Sequence, residues 1–129
     1  MAGSPTNVIG TWDDVFGRSS PQVQALALAA RDLIRGLHPG VVEVARPGDG
    51  AVTFGLGPRK MKDGYAYLAP HQAWVNLGFY QGAHLKDPGA LLEGTGKSMR
   101  HVKLLQALPD GIEALLRQAL QRQTAASRA

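Results

Sequence analysis

The densest chemistry in this chain sits in four consecutive residues, Arg100-His101-Val102-Lys103. On an extended backbone the side chains alternate, so Arg100 and Val102 share one face and His101 and Lys103 the other. Arg and Lys beside an imidazole suit a negatively charged ligand, because they supply charge-assisted hydrogen bonds to phosphate or carboxylate oxygens. Just before them, Gly94-Thr95-Gly96-Lys97-Ser98 places a lysine in a glycine-containing loop, and Lys60 belongs to a further basic group with Arg59 and Lys62. The loop is not a nucleotide P-loop. That cradle needs a glycine separated by four residues from Gly-Lys-Ser, and the position holds Leu91. A tight turn that offers backbone N–H groups to an anion is the chemistry left to it.

Other chemistries find fewer residues. The chain has no cysteine, so a thiol nucleophile and a Cys-held iron–sulfur cluster are excluded. It has no G-x-S-x-G elbow. An enzyme reading rests on His101 with Ser98 or Glu93 as partner. The histidines His38, His71, His84 and His101 show neither i,i+4 pairing nor an H-x-H or H-E-x-x-H pattern, so a metal site would need ligands gathered by the fold. Gly55-Leu56-Gly57-Pro58 lacks the third glycine of a dinucleotide fingerprint and reads as a bend at a strand end. Tyr65, Tyr67, Trp74, Phe79 and Tyr80 cluster in one region. Such a group packs across strands or, beside Lys60 and Lys62, stacks bases.

The charge pattern supports the anion reading. From Arg59 to Lys103 there are seven bases and three acids, an excess equal to the whole net charge of +4. The local field therefore attracts negative groups. The chain has 129 residues, of which 44% are hydrophobic and 19% charged, enough for one domain with its own core. No apolar run reaches the length of a membrane span, and Met1–Gly10 lacks the basic start and apolar stretch of a secretory signal. A cytoplasmic protein without a membrane partner is expected.

The elements that must position these residues are legible in outline. Residues 1–19 read as an arm with a short helix capped by Thr11, and Ser20-Pro21 opens a longer one. Val23, Leu26, Ala27, Ala30, Leu33, Ile34 and Leu37 recur at spacings of three and four, an apolar helical stripe ended by Pro39-Gly40. Val41–Arg46 and Ala51–Leu56 flank a turn cluster and form a hairpin. Gly64–Ala69 and Ala73–Tyr80 form a second, with Val75, Leu77 and Phe79 facing the core. A three-residue turn pairs Tyr67 with Val75 there, and a two-residue turn pairs it with Trp74. Asp87-Pro88 begins one helical turn that Gly94 stops. Met99–Gln106 is a fifth strand. Asp110 caps a last helix with Ile112, Leu115, Leu116, Ala119 and Leu120 inward, fraying over 123–129. Helix, run of strands, helix is an α+β order: an antiparallel sheet of about five strands, with N- and C-terminal helices packed on one face as a two-layer sandwich. The domain proper spans 20–122.

Over roughly 20–120 the chain resembles the YdhG-like family, catalogued as a domain of unknown function. The resemblance is carried by Gly55-Leu56-Gly57-Pro58, Lys60-Met61, Tyr65, Tyr67, Val75-Asn76-Leu77-Gly78-Phe79, Gly82 and Leu85. It continues through Asp87-Pro88, Leu91-Leu92-Glu93-Gly94-Thr95-Gly96-Lys97 and Arg100-His101-Val102-Lys103. It implies a frataxin-like architecture, and some members carry an iron-chaperone label on that basis.

Two functions from different classes follow. The first is a non-catalytic binding domain without a cofactor, whose family-matching face, centred on Lys60, Asn76, Lys97, Arg100, His101 and Lys103, holds a small anion or an acidic partner. Nucleic acid is the least favoured occupant of that face. The alternative is a frataxin-like iron chaperone using the carboxylates Asp13, Asp14, Asp32 and Glu43, since iron favours hard oxygen ligands. Arg31 and Arg35 stand among those acids and oppose a cation there.

Overall fold

Thr11 sets the start of the first helix through a reciprocal cap. Its hydroxyl accepts from the Asp14 N–H at 3.1 Å, and the Asp14 carboxylate accepts from the Thr11 N–H at 2.9 Å. This computed structural model describes residues 10–128, so the expected arm over 1–9, and Ala129, lie outside it. The first helix, α1, spans Trp12–Phe16. The second, α2 (Pro21–Leu37), begins where the Ser20 hydroxyl accepts from the Val23 N–H at 3.2 Å, with Pro21 in the first turn. The expected stripe is its buried side: Val23, Leu26, Ala27, Ala30 and Ile34.

Five strands follow: β1 (Val42–Arg46), β2 (Ala51–Gly55), β3 (Gly64–Pro70), β4 (Val75–Phe79) and β5 (Arg100–Leu104). They pair antiparallel in sequence order, β1-β2-β3-β4-β5. Between β1 and β2, Pro47–Asp49 makes a 3-10 turn that ends at Gly50 with φ +65°, a conformation that favours glycine. A short helix, α3 (Lys60–Asp63), joins β2 to β3. The last helix, α4, spans Ile112–Arg128.

The architecture is the expected α+β sandwich. Val52, Phe54, Leu68, Leu77, Phe79 and Leu104 point from the sheet into a core closed by α2 and by Ile112, Leu115 and Leu116 of α4. The other sheet face carries no helix of that core. No helix among the described residues is long and apolar enough to cross a membrane.

Three local expectations are corrected. The β3–β4 turn has four residues, 71–74, closed by the His71 N–H donating to the Trp74 carbonyl at 2.8 Å. Tyr67 therefore pairs with Gly78, not with Val75 or Trp74. The segment after Asp87 forms no helical turn. The Asp87 carboxylate instead accepts from the N–H groups of both Leu91 and Leu92, each at 2.9 Å, and bends the chain away from helix. At the end of the chain, α4 starts after Gly111, held at φ +94°, rather than directly at Asp110. The helix runs on to Arg128. The Gln123 amide donates to the Lys62 carbonyl at 2.6 Å and the Thr124 hydroxyl to the Leu120 carbonyl at 2.8 Å, which anchors the last turns.

Candidate functional site

On β5 the alternation is as the sequence requires: Val102 and Leu104 are buried, while His101 and Lys103 are half-buried on the opposite side. Lys103 is paired across the ladder with Asn76, and His101 with Gly78. Asn76, His101 and Lys103 thus occupy one patch of the helix-free face. They are three of the six expected anion-binding residues.

The β3–β4 turn organises this patch. The His71 ring stacks on Trp74, with centroids 4.8 Å apart and planes 6° from parallel. Asn76 joins both rings: its side-chain oxygen accepts from the Trp74 indole N–H at 2.9 Å, and its amide nitrogen lies 3.0 Å from His71 Nε2. The Lys103 ammonium stands 4.5 Å from the Trp74 ring centroid, a cation–π placement. No carboxylate lies within ion-pair distance of Lys103 among the described residues. Sequence reasoning treated Trp74 as a packing or stacking residue and His71 only as a metal-ligand candidate, and missed that Trp74, stacked on His71, stands against the lysine. The available signal was the spacing His71-x-x-Trp74-x-Asn76 at a hairpin end.

The other three expected residues are not gathered with these. Lys60, at the start of α3, forms an ion pair with Asp49 at 3.0 Å. Arg100 lies on the core-side parity of β5, opposite Phe79. Its guanidinium curls onto its own loop and donates to the carbonyls of Gly96 and of Met99, the latter at 2.7 Å. Lys97 sits exposed on that loop, which leads into a strand as expected.

Next to the patch the same face is aromatic. Tyr67 packs against Tyr80 with centroids 5.5 Å apart, and burial raises both phenol pKa values. Arg46 donates to the Thr53 hydroxyl at 3.1 Å and to the Pro58 carbonyl at 2.6 Å.

Of the four carboxylates proposed for iron, Glu43 and Asp14 have partners within the protein, while Asp13 and Asp32 are exposed. Glu43 accepts from Arg31 at 2.7 Å and from Arg35. Asp14 belongs to the Thr11 cap. No group of three or more His, Asp or Glu that could hold a metal occurs among the described residues. For an enzyme, Glu93 meets His101 through two main-chain hydrogen bonds, at 2.8 and 2.9 Å. Among the described residues no side-chain hydrogen bond links His101 to Ser98 or Glu93. No family model, no curated protein and no solved structure matches this chain.

Proposed function

We propose that this protein is a non-catalytic binding domain that holds the carboxylates of an acidic partner on its helix-free sheet face, at Asn76, His101 and Lys103. The observation that carries the reading is the Lys103 ammonium, fixed 4.5 Å from the Trp74 ring with no carboxylate beside it among the described residues. A cation held in place and not neutralised is ready for an external negative charge. Lys103 also borders an open groove of about 700 Å³ that leads off this face past Ala73, Leu105 and Gln106 to Gln22 of α2. An extended acidic peptide suits such a groove better than an enclosed small ion does. Kinship with the YdhG-like family and a cytoplasmic setting belong to the same proposal. The iron alternative gains no support from Glu43, whose charge two arginines already offset.

The test is a thermal-shift and fluorescence-anisotropy titration with a Glu-rich peptide. Inorganic phosphate and a single-stranded oligonucleotide serve as comparisons. Peptide at about 100 times its Kd should stabilise the fold by about 2.7 kcal/mol. Lys103→Glu should weaken binding at least about tenfold, and Lys60→Ala should leave it within about twofold. Equal binding by the Lys103→Glu variant overturns the reading. So does binding of the oligonucleotide alone, with a steep salt dependence.

A further inference from the structure

A second anion-receptive place lies away from the residues just described, where the segment after β4 meets α4. A hollow of about 180 Å³ is walled by Pro88 and Leu91 from the segment and by Ala114 and Leu115 from the helix. A cavity of about 150 Å³ with apolar walls accommodates a benzene ring. The hollow is therefore large enough for a six-membered ring or a short branched chain.

Its mouth is cationic. Lys86 and Gln118 line both this hollow and a shallower, open depression of about 480 Å³ that also includes His84 and Arg122. Neither Lys86 nor Arg122 has an ion-pair partner among the described residues. Asp87, the one acid in the wall, has both carboxylate oxygens occupied by the Leu91 and Leu92 N–H groups. The position of Lys86 is fixed from behind. The Gln118 side chain accepts from the Lys86 N–H and donates to the Lys86 carbonyl, both at 2.9 Å. Two amide contacts thus tie the lysine backbone to the helix that forms the opposite wall.

An apolar hollow with cations at its rim recognises a molecule that is apolar at one end and anionic at the other. We propose that this site binds a small monocarboxylate with a compact apolar body, of the benzoate type. The apolar body enters between Leu91, Ala114 and Leu115, and the carboxylate meets Lys86 and Arg122. The geometry favours such a ligand over a bare anion, which leaves the hollow empty. It also favours it over a neutral aromatic, which leaves the cations without a counter-charge.

The proposal is tested by titrating the isotope-labelled protein with benzoate and following backbone amide signals. Acetate is the probe with charge but little body, and benzyl alcohol the probe with body but no charge. Saturable shifts confined to residues 84–91 and 111–122 are expected with benzoate, at least about tenfold tighter than with either control. Lys86→Ala should weaken benzoate about tenfold. Ala114→Leu, which keeps helix propensity while placing a larger side chain at the wall, should abolish saturation. Lys103→Glu should leave benzoate binding unchanged, which separates this site from the acidic-partner face. If Ala114→Leu perturbs the whole spectrum, Lys86→Ala at the exposed rim decides the matter. Shifts that fail to saturate, an equal response to acetate, or full binding by a folded Ala114→Leu variant overturns the assignment.

Discussion

The Tyr67 ring lies across Gly78, its register partner on β4, and fills the space that a side chain at position 78 would need. A Cβ there overlaps the ring itself. Gly78 is also the ladder partner of His101, so the bare backbone of β4 separates the aromatic half of the face from its cationic half. Gly78→Ala is expected to destabilise the fold by about 1–3 kcal/mol through overpacking. In a Tyr67→Ala background the same change should cost much less. Urea denaturation of both single variants and the double variant measures the coupling, and additive costs would show that the ring is not the obstacle.

Glu43 joins β1 to two successive turns of α2 through Arg31 and Arg35. Arg31 also stands 4.3 Å from the Trp12 ring centroid, so α1 is tied into the same cluster. Glu43→Gln removes a charge shared by two cations and should cost about 1–3 kcal/mol. Equilibrium denaturation at neutral pH checks this, and an unchanged midpoint would assign the cluster no net stability.

His38 ends α2 with its Nδ1 2.9 Å from the Tyr65 hydroxyl, and burial lowers its pKa below the ordinary 6.5. The unfolded chain takes up a proton near the ordinary value, whereas the folded protein resists until lower pH. Between the two values the unfolded state binds more protons, so stability should fall as pH drops through about 6.5 and level off below the lowered value. Asp63, whose carboxyl is pushed down chiefly by its hydrogen bond from Arg59, acts in a separate window below its ordinary 3.8. His38→Gln should flatten the upper step and leave the lower one, as read from stability measured against pH.

Under the proposed function, Trp74 acts by holding the Lys103 ammonium 4.5 Å from its ring. Trp74→Leu should weaken binding of the Glu-rich peptide about two- to fivefold, in keeping with about 0.5–1 kcal/mol for an exposed cation–π contact. Trp74→Phe should retain part of the affinity. A loss equal to that of Lys103→Glu would mean that the indole itself makes the dominant contact.

Much of the fold was legible because its signals are local. Thr11 and Ser20 are caps whose partners lie three residues away, and the five strands coincide with runs bounded by Gly, Pro and Asp. The alternation on β5 placed His101 and Lys103 on one side without further information. The β3–β4 register was not legible, because one added turn residue moves every partner and nothing local fixes the turn at four. The site was readable only in part for a similar reason. Whether a lysine is free depends on what folds beside it: Asp49 reaches Lys60 across the loops that flank β2, and main-chain carbonyls of its own loop capture Arg100. The cationic rim around Lys86 needed Arg122, distant in sequence and brought near only by the packing of α4.

The two main-chain bonds between Glu93 and His101 also bear on how the molecule behaves in a crowd. β5 is the last strand of the sheet, and a terminal strand with bare N–H and C=O groups invites another copy to extend it. At His101, near the start of the strand, that invitation is already answered from within the chain, by a segment too irregular to pass the pattern on. Deleting residues 90–98 should therefore uncover a template for fibrous self-association, visible as growth of light scattering at concentrations where the intact protein stays clear.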